Sequence, residues 1–193
     1  MSFQKIRRKL VGPGFGLTVG DLVSLVNLGT PVVADVDRIV TSANMKVGAY
    51  TVAAQPDVPR NITATRTVVG DADTPGTLLI TGTSVEDKVI TETITVGAHG
   101  VTVAGVKAFK TVTSVVGAGW VIATDNDTIT VGVGGVLGLP ALVVAAADIL
   151  LGVLGTTITA HTPLAGGTAE GTTIDMSAGT YDGSKAAMIF VAA

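Results

Sequence analysis

The sequence predicts an all-β fold, an antiparallel β-sandwich or barrel with an extended N-terminal arm, and three observations carry that prediction. Residues 60–134 form a series of short runs rich in threonine and valine, and β-branched side chains suit the pleated, half-buried surface of a sheet. Glycine, aspartate, asparagine and proline separate the runs at near-regular intervals, each supplying a backbone geometry that turns need. Aromatic residues make up only 4% of the chain, so the core must come from Val, Ile, Leu and Ala, which bury less area per residue than rings. Stability is therefore expected to lean on association with other chains.

Taken in order, the chain opens on MSFQKIRRKL, where Lys5, Arg7, Arg8 and Lys9 gather a third of its basic residues. Gly12, Pro13, Gly14 and Gly16 then break any apolar run, which argues against a secretory signal. The segment reads either as a solvated tail or as an arm that docks on an acidic neighbour. Residues 17–28 fit a short helix with Leu22, Leu25 and Val26 on one side, and equally two strands broken at Gly20 and Asp21. Extended structure is expected over 31–36, 38–41 and 50–54, with a turn at 42–46. Pro56 and Pro59 fix φ and remove donors, so 55–60 reads as a connector along a sheet edge and as the best internal boundary.

Beyond it, strands are expected at 61–69, 77–83, 88–96, 101–103, 109–116 and 128–133. Residues 131–154 are apolar enough and long enough to cross a bilayer. Pro140, the glycines and Asp148 within the run oppose that, and two buried strands, at 142–145 and 149–154 with a joint at 146–148, are the expectation. The last strands fall at 156–160, 172–176 and, after a turn at 182–184, 187–191. The division is thus an arm (1–20), approach strands (21–56), a central β domain (57–140) and C-terminal strands (141–193) packed on the same core, in an Ig-like or jelly-roll-like arrangement.

Net charge is −3, and charged residues are only 14% of the chain, against roughly 25% in an ordinary domain. Such a surface suits a protein that covers others and gives no reason to expect nucleic-acid binding. With no cysteine, disulfides, thiolate metal sites and cysteine nucleophiles are excluded.

Motifs for chemistry are sparse. His99 and His161 lie far apart without ligand spacing and read as surface imidazoles. Asp125, Asn126 and Asp127 lack the glycine and distal glutamate of a calcium loop and read as a turn that caps its own backbone. The glycines at 12–16 and 132–138 have neither P-loop spacing nor its lysine and read as bends. Ser184 and Lys185 alone do not make a nucleophile with its base. Asn61-Ile62-Thr63 and Asn126-Asp127-Thr128 match the glycosylation pattern by chance. No catalytic residue, metal or cofactor is expected, and an enzyme is not. Glu92 shares a strand face with Ile90, Ile94 and Val96; if that face is inward, the carboxylate needs a partner, with Lys88 or Arg66 as candidates. Trp120 is either a core plug or an interface anchor.

The phrases 57–63 (DVPRNIT), 79–83 (LITGT), 91–94 (TETI), 107–115 (KAFKTVTSV), 127–132 (DTITVG) and 137–140 (LGLP) follow one another in an order that resembles β-rich virion proteins of tailed bacteriophages. The resemblance covers somewhat under half the chain. It implies a structural protein of the virion, most like a capsid decoration or cement protein made in the host cytoplasm and placed on the capsid exterior. Its partners would be the major capsid protein and itself, as a homo-oligomer of trimer type, with no nucleic acid and no membrane. The family supplies no catalytic residues; Lys5, Arg7, Arg8 and Lys9 would be contacts to acidic capsid surface, with Trp120 as a further contact. A tail or neck subunit (tube, collar or fibre) is the alternative within that class. A surface carbohydrate-binding module is the rival outside it, thinly supplied with aromatic faces by Trp120, Tyr50 and Tyr181.

Overall fold

The computed structural model describes residues 3–6, 23–46, 48–69, 73–121, 126–140, 148–160, 162–164 and 172–192. Within them there is no α-helix, and every ladder between named strands is antiparallel. A four-stranded sheet runs in the order β4 (Ala49–Tyr50), β9 (Thr111–Ala118), β6 (Thr77–Thr83) and β7 (Val89–Thr95). It faces part of a six-stranded sheet in which β10 (Thr128–Gly138) is flanked by β3 (Asp35–Asn44) and β5 (Arg60–Thr67), with β8 (Thr102–Phe109) beyond β5. Their inner faces supply one apolar cluster, including Ile39, Ile62, Ile80, Ile94, Phe109, Val115 and Ile129. The fold is an all-β antiparallel sandwich.

The strand β10 outruns β3. Its C-terminal end pairs instead with β14 (Thr173–Asp175), which carries β13 (Thr162–Leu164). Over this end lies a five-stranded sheet, ordered β1 (Phe3–Ile6), β2 (Val23–Gly29), β15 (Ala187–Ala192), β11 (Ile149–Leu154) and β12 (Thr157–Ile158). A second apolar cluster forms there from Val26, Leu28, Val58, Leu137, Ile174, Ile189 and neighbours. Thus β10 serves both clusters, Ile129 to Val133 in the first and Leu137, with Leu139 just past its end, in the second. Its register against β5 shifts between Val133 and Leu137, where one cluster gives way to the other.

The alternating pattern located most strands, and the departures have local causes. The strand β6 has the expected bounds, as does β11. Residues 23–29 are strand, while 17–22 and the expected strand at 142–145 lie outside the described residues. The turn expected at 42–46 tightens to Met45 and Lys46, because Ser42 takes φ +37° and absorbs an irregularity inside β3. The strand expected at 101–103 continues to Phe109, carried past Gly105 by a side chain from another strand. The glycines at 132–138 are not a bend: they lie in β10, where a Cβ at Gly132 would stand 2.0 Å from the Asp35 carbonyl oxygen. No helix of the described residues is long and apolar enough to cross a membrane.

Candidate functional site

The most concentrated polar chemistry lies at the junction of the two clusters, in the phrase that begins with Asp57. Arg60 is fully buried, and burying a guanidinium is costly unless its donors are met; its Nε and Nη1 are met, while its Nη2 has no hydrogen-bond partner. Its Nε donates to the Gly134 carbonyl at 2.7 Å, and its Nη1 donates to the Val32 carbonyl and to Asp57 Oδ1, each at 3.0 Å. The Tyr181 ring lies 5.9 Å from the guanidinium carbon. Asp57 also accepts the Val32 amide at 2.7 Å. The next residue, Asn61, accepts the Val136 amide and donates to the Gly105 carbonyl, both at 3.1 Å. One short phrase thus ties together the chain before β3, the register shift of β10 and the bulge of β8.

The open seams of the sandwich are stitched in a similar way. On one side Glu92 of β7 reaches β8, where its Oε1 accepts the Val106 amide at 2.6 Å and the Lys107 amide at 3.3 Å. Gly105 leaves room for it, since a Cβ there would lie 2.3 Å from Oε2. Glu92 thus shares the inward face with Ile90 and Ile94 but is only partly buried, and its partners are backbone amides and not Lys88 or Arg66. On the other side the chain after β4 runs between β9 and β3. There Ala53 donates its amide to the Ile39 carbonyl at 2.7 Å, and the Gln55 side chain takes both the amide and the carbonyl of Val112, at 2.7 and 3.0 Å. A side-chain amide here does the work of one more strand residue, and the first cluster is enclosed like a barrel.

At one end of this enclosure Arg66, Asp73 and Asp127 are all buried. The Arg66 Nη1 donates to Asp127 Oδ2 at 3.0 Å and to the Asp73 carbonyl, and Asp127 in turn accepts the amides of Val69 and Asp73 at 3.0 and 3.1 Å. Asp127 therefore caps backbone, as a turn aspartate was expected to, but that of a distant loop and with an arginine partner. Among the described residues no cluster of three or more metal-ligating side chains occurs.

The other residues singled out in the sequence fall as follows. Lys5 lies in β1, opposite Ser24, at an edge of the five-stranded sheet; Arg7, Arg8, Lys9 and His161 lie outside the described residues. Trp120 is partly buried and packs against the first cluster. His99 is exposed and has a structural contact, accepting the Val68 amide at 2.9 Å on Nδ1. Ser184 and Lys185 both turn to Asp182, which the lysine holds well below the usual carboxylate range. Asn61 is buried, so its glycosylation pattern has no accessible amide. Burial raises the phenol of Tyr50 above its ordinary value and pushes that of Tyr181 up to about 12.

A cleft of about 360 Å³ opens beside the junction, lined by Leu28, Pro56, Asp57, Val58, Pro59, Val85 and Lys110 among others. Asp57 is engaged by Arg60, and Lys110 by Asp87 at 2.6 Å. The charged side chains that line the cleft are thus engaged in ion pairs. What sequence reasoning missed is the role of Gln55 and Arg60, in a phrase read as a connector, and that of Asn61, read as the start of a strand and a chance glycosylation match.

No protein-family model, no curated protein and no solved structure matches the chain.

Proposed function

We propose that the chain is a structural protein of a tailed-bacteriophage particle, a decoration protein that binds the major capsid protein on the outside of the head and stabilises the shell. One observation carries the reading. The phrases that resemble phage virion proteins, from Asp57 to Pro140, make up most of the stitched sandwich, and polar side chains within them hold backbone: Arg60 on Gly134, Glu92 on Val106, Asp127 on Val69. A shell under pressure from packed DNA is held best by a stiff body making many distributed contacts.

The sheet edges support the same role. Among the described residues β1, β12 and β13 stand at the ends of their sheets. All three are short, as edges that must not pair at random tend to be. Strand addition at such an edge gives affinity through main-chain hydrogen bonds without demanding particular side chains. The basic residues Lys5, Arg7, Arg8 and Lys9 begin on the β1 edge and suit an acidic capsid surface.

The test is to image particles with and without this chain and to heat both. Surface density that vanishes with the chain, and emptied heads that rupture at lower temperature without it, are expected. Particles of unchanged outline and heat resistance, or purified chain that assembles into tail-like rings and ignores expanded heads, would overturn the proposal.

A further inference from the structure

The two apolar clusters divide the sequence unevenly. Among the described residues every member of the first lies between Ile39 and Val133, whereas the second draws on Val26, Leu28 and Val58 and then on Leu137 to Val191. One half of the molecule is thus a continuous stretch set into another half made from both ends of the chain. Between the halves β10 loses its ladder. Its last pairs in the first half are Val133 with Asp35 and with Ile62, and pairing with β5 resumes only at Leu137, so Gly134 and Gly135 stand opposite no residue of β3 or β5. Side chains take over there. Arg60 Nε donates to the Gly134 carbonyl at 2.7 Å, the Tyr181 hydroxyl donates to the Gly135 carbonyl at 3.1 Å, and the Val136 amide donates to Asn61 Oδ1 at 3.1 Å. Two other described stretches join the halves, 30–34 and 55–59, and neither is strand. Both are held by the same arginine, through the Val32 carbonyl and the Asp57 carboxylate. Beside this node the halves stand apart: the cleft of about 360 Å³ has Asn27, Leu28 and Gly29 from the second half among its lining, and Val85 and Lys110 from turns of the first.

We infer that Gly134 and Gly135 are a hinge between the two halves and that Arg60, Asn61 and Tyr181 are its clamp, so that a molecule under strain turns here before either core opens. Hinges are a few residues that absorb a change in φ and ψ, and two glycines free of a ladder do so at the least steric cost. The close-packed cores on either side resist distortion and move as units. The two irregular stretches can follow the turn, and the cleft gives the halves room to approach or part. A clamp made of side chains can exchange its partners for water without unravelling a strand, whereas a backbone ladder cannot. The hinge is a property of the chain alone and does not depend on the proposed role.

The chain has no cysteine, so two introduced ones carry spin labels at known places, and pulsed electron spin resonance reads the distance between them. Val101→Cys with Ile158→Cys spans the halves, and Val101→Cys with Val89→Cys stays within the first; all three parent side chains are exposed. In water both pairs should give narrow distributions. The emission of Trp120, which packs against the first cluster, reports whether that core is intact. In urea too dilute to change that emission, the spanning distance should broaden and shift while the distance within the first half holds. Tyr181→Phe, which removes a single hydroxyl, should bring the onset of broadening to lower urea and move the Trp120 midpoint less, and Asn61→Ala should bring the onset lower as well. A spanning distance that changes only together with Trp120 emission, a distance within the first half that broadens as early, clamp variants that leave the onset in place, or a spanning distribution already broad in water would each overturn the inference.

Discussion

Glu92 Oε1 lies 2.6 Å from the Val106 amide, so a side chain of one sheet terminates the edge of the other. The carboxylate occupies N–H groups that an edge strand would otherwise offer to any extended chain. Hydrogen bonds to a charged acceptor are worth about 1.5–3 kcal/mol each, and amides left unmet add to the loss. Glu92→Ala should lower the unfolding free energy by about 2–4 kcal/mol, and Glu92→Gln, which keeps one neutral acceptor, by about 1 kcal/mol. Urea titration of the three proteins measures both. Equal losses for the two variants would mean that packing, and not the amide contacts, holds this seam.

Gly105 and Glu92 should be coupled. A methyl group at Gly105 would stand 2.3 Å from Oε2, so Gly105→Ala must displace the carboxylate. Alone it should cost about 2 kcal/mol, and in a Glu92→Ala background much less, leaving an interaction of at least about 1 kcal/mol in the double-mutant cycle. Additive losses would show that the two residues act independently.

Strand positions were legible because alternation is a property of neighbours in sequence. From residue 77 to 83, every second side chain turns inward, and the bounds follow. The clasps were not legible because each joins residues distant in the chain through a backbone group, and amides have no signature in a sequence. Glu92 showed which face it shared, yet the identity of its acceptor partners depended on a bulge at Gly105 that only the β5–β8 register reveals. Arg60 stood at the end of a phrase read as a connector along a sheet edge. Its burial follows from β10 changing partners one turn of chain away from it, an event set by the far end of the molecule. The two clusters were hidden for the same reason: one long strand serving both leaves no break in composition.

Glycines that admit neighbouring backbone should be far less replaceable than those that merely turn. A Cβ at Gly132 would meet the Asp35 oxygen at 2.0 Å and the Val36 backbone at 2.4 Å, whereas one at Gly100, which has φ +69°, would meet nothing within 4 Å. Gly132→Ala should cost at least about 3 kcal/mol because backbone must move. Gly100→Ala should cost about 1–2 kcal/mol, the penalty of left-handed geometry alone. Melting temperatures rank the pair; a reversed order would refute the register drawn for β3 against β10.

Removing the Arg60 guanidinium strands Asp57, whose side chain is only 12% exposed. Arg60→Met should destabilise by about 3–5 kcal/mol, the usual result of breaking a buried pair from one side. Arg60→Lys should recover only part, since a single ammonium lacks the fork that reaches Gly134, Val32 and Asp57 together. Arg60→Met combined with Asp57→Asn should be more stable than Arg60→Met alone, because no bare charge is then buried. Denaturant midpoints for the three variants decide it.

Tyr181 makes stability depend on pH at the alkaline end. Its phenol donates to the Gly135 carbonyl at 3.1 Å, and burial pushes its pKa from 10.0 to about 12. The unfolded chain gives up this proton near pH 10 and the folded chain only near 12. Between those values the unfolded state binds fewer protons, and the free energy of unfolding falls as pH rises. The contribution is fully present below pH 10 and lost by about 12, amounting to at most about 2 kcal/mol once solvent screening is allowed for. Tyr50, also raised by burial, adds a loss of the same sign. Tyr181→Phe should forfeit about 1 kcal/mol at neutral pH with the lost hydrogen bond, and should flatten the decline between pH 10 and 12. Denaturant titrations at several alkaline pH values, with phenolate absorbance followed in parallel, measure both effects. A parent protein whose stability holds level from pH 9 to 12 would show that Tyr181 ionises as freely folded as unfolded, and that its ring does not seal the junction over Arg60.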